Sequence, residues 1–285
     1  MFEFLPIQTG AISLEAYAEL FRTCFPNAHH LNATYLAWLY ADNPDGEVVG
    51  FDAYHQGRLA AHYACIPVRL NIFGKDCSGL LSLNTATHPD YQGKGLFTQL
   101  ATRTYERGAD LGHHAVYGIA NANSTPGFIK KLGFSLIGPL EARIGVGPTA
   151  FIDWDRAVRA AQFRRFWDIE RVAWRCRNPA NPATVTSLSG KGIEVTAKTD
   201  KPMISAWANI YGQFDGIGTT RYKFGPGKIF LGLLPEDTYR FRFSMGVPQK
   251  FRPSPLNFIY RPLGQDTEIP DRSKIICSFV DFDAF

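Results

Sequence analysis

Thr87-His88-Pro89-Asp90-Tyr91-Gln92-Gly93-Lys94-Gly95-Leu96-Phe97 is the stretch on which the reading of this chain turns. Residues 80–87 ahead of it have the character of a strand, and Leu96, Leu100, Thr104 and Arg107 behind it are spaced along a helix over 96–109. A strand thus runs into a tight loop with two glycines, and a helix starts at once. That arrangement leaves several backbone N–H groups at a helix N-terminus, where the partial positive charge favours an anion. The glycines let the loop pass through positive φ and let a phosphate approach with no Cβ in the way. Lys94 adds a charge at the rim. On its own, Gly-Lys-Gly after a strand also describes a plain turn. A Walker loop is excluded because Lys94 is followed by Gly95 and not by Ser or Thr. A Rossmann fingerprint is excluded because the loop follows several strands and lacks the third glycine.

Working outward, Leu14, Tyr17, Leu20 and Phe21 recur at helical spacing over residues 13–24, with Pro26 beyond the end. A second short helix is expected over 33–40, stopped by Asp42-Asn43-Pro44-Asp45-Gly46. Residues 48–54 and 59–70 read as strands of a hairpin turned at His55-Gln56-Gly57-Arg58, and Phe73-Gly74-Lys75-Asp76 turns the chain into the next strand. Beyond the long helix, 115–120 is a short buried strand. Ser124 then caps a helix with Pro126 in its first turn, closed at Gly133, and 136–146 supplies further strand. Consecutive strands followed by a strand–loop–helix–strand–helix run exclude all-α and all-β classes. They predict an α/β fold on a mixed sheet, α+β in its segregation.

Gly145 to Pro148 marks a boundary, giving units of 1–147 and 148–285. The second opens with an Arg- and aromatic-rich helix expected over 151–174 and continues in short strands broken by prolines and glycines. Ala37-Trp38 with Asn43-Pro44 downstream recurs as Ala173-Trp174 with Asn178-Pro179. So few matches also arise by chance. If the second half is a degenerate copy of the first, it has lost the glycine loop and is structural.

The 285 residues are 45% hydrophobic and 20% charged, an ordinary balance with enough chain for one large core or two smaller ones. An aromatic share of 14% implies bulky cores or aromatic-lined clefts. The formal net charge of +4 is mild and no Lys/Arg run is present, which argues against a nucleic-acid partner. Cys24, Cys65, Cys77, Cys176 and Cys277 form no CxxC pair, so neither a zinc site nor a redox motif is expected, and free thiols in a reducing compartment are. The first residues lack a charged region followed by an apolar core, and no apolar run approaches a membrane span. A soluble cytoplasmic protein with no metal and no membrane partner is the expectation.

The glycine loop and its flanks resemble the GNAT acetyltransferase superfamily. There a Q/R-x-x-G-x-G/A pattern links the fourth strand to the third helix and cradles the CoA pyrophosphate. Gln92-Gly93-Lys94-Gly95-Leu96-Phe97 matches it through Gly95, with Phe97 in place of the usual small residue, as in a subgroup with QGKGLF-type loops. Asn121-Ala122-Asn123-Ser124, followed by Lys131-Leu132-Gly133-Phe134, resembles the second hallmark, N-x-x-S…Y-x-K-L-G-F. The resemblance covers residues 10–147. It implies a GNAT fold for the first half and acetyl-CoA as co-substrate. The backbones of Leu83 and Thr85 would hold the pantetheine, the loop from Gln92, Gly93, Lys94 and Gly95 to Leu96 and Phe97 the pyrophosphate, and Asn123 the pantetheine arm.

Two family features are missing. A Tyr four residues before the Gly of L-G-F often protonates the leaving thiolate; Ile129 stands there, which leaves Tyr63 or Tyr117 to substitute. A Glu on the fourth strand often takes the amine proton through water; the nearest match is Asn84, which cannot act as a base but can orient a water or the acceptor. Holding the amine and thioester in line supplies much of the rate, and a strand N–H can stabilise the oxyanion. A base within reach is still needed. Asp52, His62, His114 and a C-terminal carboxylate on Phe285 are candidates, the last by analogy with some aminoglycoside acetyltransferases of the superfamily.

Other prominent residues have plainer readings. His113-His114 begins a strand, and His29-His30 has no matching metal ligands. Trp154, Trp167 and Trp174 read as the buried face of one helix. Arg156, Arg159, Arg164, Arg165 and Arg171 read as a solvated helix face in preference to a phosphate or carboxylate grip. The expected activity is N-acyl transfer from acetyl-CoA to a primary amine of a small molecule, an amino sugar by preference, with the second half walling the acceptor pocket. Two other readings stay open: a non-catalytic acyl-CoA-binding regulatory module, and a transferase with a longer acyl or aminoacyl donor, for which the modest charge argues against tRNA. Oligomeric state is not fixed by the sequence. Gly95→Trp is expected to abolish CoA binding while the fold is retained. Circular dichroism beside a calorimetric CoA titration checks this, and normal CoA binding by the variant would remove the pyrophosphate from this loop.

Overall fold

The computed structural model describes residues 1–147, 149–188, 192–214, 225–252, 254–264 and 267–282. The first half runs β1 (Glu3–Pro6), α1 (Ala11–Cys24), α2 (Ala33–Tyr40), β2 (Val49–His55), β3 (Arg58–Ile72), β4 (Lys75–Thr87), α3 (Leu96–Asp110), β5 (Ala115–Ala120), α4 (Thr125–Lys131), β6 (Ser135–Pro139) and β7 (Glu141–Val146). The second runs β8 (Ala150–Ile152), α5 (Trp154–Ala160), β9 (Phe163–Arg165), α6 (Ile169–Cys176), β10 (Thr184–Ser187), β11 (Ile193–Lys198), β12 (Ile204–Ile210), β13 (Gly227–Leu233), β14 (Tyr239–Phe241), β15 (Ser244–Gly246), β16 (Asn257–Pro262) and β17 (Ile275–Ser278). Among the described residues no helix is long and apolar enough to cross a membrane.

Turn chemistry fixes the first meander. Gln56 and Gly57 lie at φ 52° and 76°, and Phe73 and Gly74 at 48° and 80°. Positive φ at both central positions gives the two-residue turn whose twist matches the strands it joins. β3 is central, and its alternate side chains serve two cores. Ala64, Ile66, Val68 and Leu70 enter the cluster beneath α1 and α2, while Ala61, Tyr63 and Cys65 enter the one beneath α3 and α4. A strand buried on both faces reads as a nearly continuous apolar run, as this one does.

The two halves repeat one another. In the first, α2 leads into the antiparallel meander β2–β3–β4, and β4 pairs with β5 in parallel. In the second, α6 leads into the meander β10–β11–β12, and β12 pairs with β13 in parallel. The Trp echo sits at the matching point of each. Trp38 and Trp174 stack with centroids 4.7 Å apart and planes at 16°. Trp38 Nε1 donates to Trp174 O at 3.0 Å, and Trp174 Nε1 donates back to Trp38 O at 3.1 Å. Two residues after each Trp, the helix end accepts an N–H from the returning chain: Val48 to Tyr40 O, and Ala183 to Cys176 O. Asn43 and Asn178 each accept from the N–H two residues on, at 3.1 and 2.9 Å. The matched residues thus make matching contacts in the two halves.

The halves also exchange strands. β16 lies between β5 and β6, antiparallel to both. β7, from the end of the first half, lies between β13 and β15 in the same way. Each half's sheet therefore takes in a strand of the other, and the division expected at 147/148 falls between β7 and β8 with strands crossing it in both directions. β17 and β9 bridge β13 to β3, so that fifteen strands of the described residues join one sheet; β8 and β14 pair separately.

Two segments differ from expectation. Residues 136–146 are two strands with different partners, because the chain breaks at Pro139-Leu140 to serve the exchange. The helix expected over 151–174 is interrupted by β9, which pairs with β3 and β17, and it restarts where the Asp168 carboxylate caps Arg171 N at 3.0 Å. The three tryptophans therefore do not share one helix face, and Arg165 and Arg171 are buried, not solvated.

Truncating either partner of the stacked pair, Trp38→Ala or Trp174→Ala, is expected to destabilise the chain by about 3–5 kcal/mol in urea unfolding. Because both indoles lose the same contact, the double variant should cost clearly less than the two single losses added together.

Candidate functional site

β4 and β5 pair only from Leu80–Ser82 to Val116–Gly118, and beyond that point they diverge. At the divergence β4 carries a bulge: Tyr63 pairs with Thr85 and Ala64 with Leu83, leaving Asn84 out of register at φ 45°. A bulge unpairs one residue and bends the strand, and Asn is among the few non-glycine residues that tolerate positive φ. A cleft of about 580 Å³ opens between the strands, with Ser82, Leu83, Asn84 and Thr85 on one wall and Gly118, Ile119 and Ala120 on the other. The strand edges facing each other across this gap have no ladder there, so their N–H and C=O groups are open to an extended ligand.

Phe97, in the first turn of α3, lines the same cleft and brings the glycine loop to it. Gly93 and Gly95 lie at φ 75° and 72°, which glycine adopts without a Cβ penalty. Gly95 is the N-cap of α3, and no side chain caps the helix there. Gln99 N bonds back to Gly95 O at 3.2 Å. The N–H groups of Leu96, Phe97 and Thr98 come ahead of it, at the positive end of a 15-residue helix. The Leu96 side chain is buried in the core, so only its backbone faces outward. Gln92 is exposed, its amide reaching Thr87 O at 3.4 Å. Lys94 is exposed too, its ammonium 5.1 Å from the Tyr91 ring and 5.7 Å from the Phe2 ring.

Phe97 fits where a small residue was expected because Gly127 makes room. A Cβ at Gly127 would come within 3.2 Å of the Phe97 ring, which also packs edge-on against Phe128 and Tyr63. Asn123 lines the cleft from a loop held by Asn121, whose Oδ1 accepts from the N–H groups of Asn123 and Ser124 at 3.0 Å each. Ser124 stands at the N-cap of α4, but its hydroxyl bonds to Asn121 and does not cap the helix. Of the residues expected at the site, Leu83, Asn84, Thr85, Phe97 and Asn123 come together in the cleft, and residues 92–96 form the turn leading into it. Phe285 lies outside the described residues.

Behind Asn84 runs a buried polar chain. Asn84 Nδ2 donates to Tyr40 Oη at 3.1 Å. Tyr40 Oη is 2.9 Å from His62 Nε2, and His62 Nδ1 is 2.7 Å from Asp52 Oδ1. The Tyr17 hydroxyl donates to Asp52 Oδ2 at 2.7 Å and accepts from Gln8 N at 3.0 Å. Burial pushes the Tyr40 and Tyr17 hydroxyls well up from their ordinary range, so both stay neutral donors. The directions then follow: Tyr40 donates to His62 Nε2, and His62 Nδ1–H donates to the Asp52 carboxylate. Asn84 is left with Oδ1 free of any partner among the described residues.

This geometry sorts the acid and base candidates. Asp52 and His62 are fully buried behind Tyr40 and do not line the cleft. His114 precedes β5 at the end away from the cleft, its N–H bonded to Ser78 O. Tyr117 is buried, its hydroxyl donating to Asp281 O at 2.6 Å. Tyr63 is buried as well, its hydroxyl 2.7 Å from Ser82 Oγ and 2.5 Å from Tyr105 Oη; burial raises both tyrosines. Ser82 is the member of that trio that lines the cleft. Sequence reasoning missed Ser82, Tyr40, Tyr17, and Ile259, which reaches the cleft from the exchanged β16. Among the described residues, no three His, Cys, Asp or Glu side chains are grouped to hold a metal.

Residues 9–137 match the acetyltransferase (GNAT) domain family. Among solved structures the chain is similar to the GCN5-related N-acetyltransferase from Kribbella flavida, with 12% identity, a TM-score of 0.59, and coverage of 92% of this chain and 71% of that one. It is similar to Eis1 from Mycobacterium abscessus, with 10% identity, a TM-score of 0.57, and coverage of 92% and 74%. A GCN5-related N-acetyltransferase from Anabaena variabilis gives 11% identity, a TM-score of 0.54, and coverage of 93% and 73%. At such identities the likeness is one of fold, and it extends through both halves. No curated protein matches the chain. Residues 9–137 thus match the acetyltransferase (GNAT) domain family, and the mixed α/β fold around them is shared with larger solved structures over most of the chain.

Proposed function

We propose that this protein is a cytoplasmic N-acyltransferase that moves the acetyl group of acetyl-CoA to a primary amine of a small molecule. The observation that carries this reading is the meeting of an open strand-edge cleft with an uncapped helix N-terminus, which suits an extended ligand ending in an anion. The pyrophosphate goes to the N–H groups of the loop from Gln92 to Phe97, with Lys94 at the rim. The pantetheine lies along the free edge at Leu83 and Thr85, with Asn123 beside it. The QGKGLF form of the loop and the subgroup it resembles favour an amino sugar as acceptor. The unit 148–285 walls the acceptor side: Leu256 and Phe282 pack in the same cluster as Leu83 and Ile119.

In the reaction the amine nitrogen bonds to the thioester carbonyl carbon, the C–S bond breaks, and CoA leaves as a thiolate. Backbone N–H groups at the bulge hold the oxyanion. Asn84 Oδ1 accepts from the amine N–H and aims its lone pair; it takes no proton, which leaves to solvent through the open cleft. Ser82, backed by the Tyr63 and Tyr105 hydroxyls, offers a proton path to the thiolate in place of the tyrosine that Ile129 replaces. Asp52, His62 and Tyr40 are positioning residues that hold the Asn84 amide the right way round.

Calorimetric titration with acetyl-CoA, CoA and a long-chain acyl-CoA is expected to give micromolar binding of acetyl-CoA, followed by thiol release on addition of amino sugars. Tight binding without turnover on any amine would favour the acyl-CoA-binding module, a reading that the sealed Asp52 and His62 also support. Preference for the long chain would favour the transferase with a longer donor, and no binding to any of the three sinks the proposal. A second test is Tyr40→Phe, which keeps the ring and deletes the hydroxyl that holds Asn84. Losing one such hydrogen bond should lower kcat for the amine about fivefold, with KM for acetyl-CoA unchanged. An equal change in both parameters would remove the positioning role.

A further inference from the structure

The cleft between β4 and β5 passes through the sheet. Leu83 and Ile119, which line it, pack with the cluster beneath α1 and α2, whereas Phe97 and Phe128 pack with the one beneath α3 and α4. Its two mouths therefore differ. Phe97 and Gly127 line the mouth on the side of α3 and α4, where the glycine loop lies; Phe25, the C-cap of α1, lines the other. Asn84 turns to the Phe25 side, since its amide bonds to Tyr40 of α2. On the acyl-transfer reading the thioester enters from the glycine-loop side, which leaves the amine the mouth at Phe25.

Phe25 is held in place there. Its N–H donates to Phe21 O at 2.7 Å, and its carbonyl accepts from Ala28 N at 2.9 Å. Pro26 follows and disfavours helical backbone at Phe25, which lies at φ −136° and ψ 70°. Cys24 Sγ donates to Thr87 O at 3.4 Å, tying this end of α1 to the end of β4. The Phe25 ring stacks on Phe21, with centroids 6.4 Å apart and planes at 23°. Phe21 beneath is 1% exposed, yet Phe25 itself is 42% exposed. One face of the ring rests on the core while the residue stays open at the cleft.

Among the described residues that line the cleft none is charged; its polar side chains are those of Ser82, Asn84, Thr85, Asn121, Asn123 and Ser124. An anionic acceptor would give up water there with no cation to meet it. A fixed aromatic face instead suits the C–H face of a saturated ring, whose hydroxyls can stay hydrated at the edge. We infer that Phe25 is a specificity-determining residue, the platform for one ring face of a hexosamine that bears no acidic group, with the amine toward Asn84 Oδ1. Sugar phosphates and open-chain amines are then the poorer acceptors. The inference rests on the acyl-transfer reading and narrows its acceptor.

The test is amine binding to the full chain saturated with CoA, followed by saturation-transfer NMR, which needs no turnover. Glucosamine should bind, glucosamine 6-phosphate no more tightly, and ethanolamine more weakly. Phe25→Ala should weaken glucosamine about fivefold and ethanolamine less than about twofold. Phe25→Tyr, which keeps the ring, should bind glucosamine as the unaltered chain does. Acetyl-CoA titrated into each variant reports on the fold and the donor end, and its affinity should not change. The platform is overturned, with the acyl-transfer reading intact, if acetyl-CoA binds but glucosamine does not. It is equally overturned if Phe25→Ala leaves glucosamine unchanged or weakens both amines alike, or if the 6-phosphate binds more tightly. Failure of acetyl-CoA to bind the unaltered chain would sink both.

Discussion

Each half of this protein closes its sheet with a strand that belongs to the other. β16 pairs along the outer edge of β5, and β7 along that of β13, so neither half has a complete sheet of its own. The Trp38–Trp174 stack, with its reciprocal N–H to carbonyl bonds, joins matching points of the two. The exchange ties the two halves into one sheet and covers the outer edges of β5 and β13. It also fixes the cleft. With its far edge held by β16, β5 cannot swing in to pair with the free end of β4, so the divergence persists as an open slot.

The slot's chemistry depends on a single residue held from behind. A bulge at Asn84 frees its side chain from the ladder, and a chain of fully buried polar groups then sets its direction. Such networks matter most when every member is satisfied, since a buried unpaired polar group is costly. Here Asp52 accepts from two donors, His62 uses both nitrogens, and Tyr40 both donates and accepts. The elements involved are α1, α2, β2 and β3, so the first half's helical face and meander act together on one amide of β4.

The two divergences differ in how they are filled. In the first half the gap stays open and meets a helix N-terminus. In the second, where β12 and β13 pair in parallel only from Ile204–Ala206 to Gly227–Ile229, Phe279 and Val280 pack into the cluster beside β12, and a smaller cavity lies at the end of that strand.

Much of this was legible in the sequence. The turns at Gln56-Gly57 and Phe73-Gly74, the helices α1 to α4 and the glycine loop are local matters: backbone dihedrals allowed to particular residues, and apolar spacing over a few turns. Those features gave the fold class, and the family resemblance of the glycine loop and its flanks pointed to Leu83, Asn84, Thr85, Phe97 and Asn123, which meet in one cleft. The Ala-Trp and Asn-Pro echo was visible too, but its meaning was not, because a repeat acquires significance only when its copies touch. Tertiary structure decided the rest. Which strand fills the edge of β5, that β9 interrupts a helical-looking run and buries Arg165, that Ile259 reaches the cleft, and that Tyr40 aims Asn84 are all choices of partner between residues far apart in the chain. Local sequence encodes the shape of an element; the partner it pairs with is selected by burial and hydrogen-bond satisfaction summed over the whole fold.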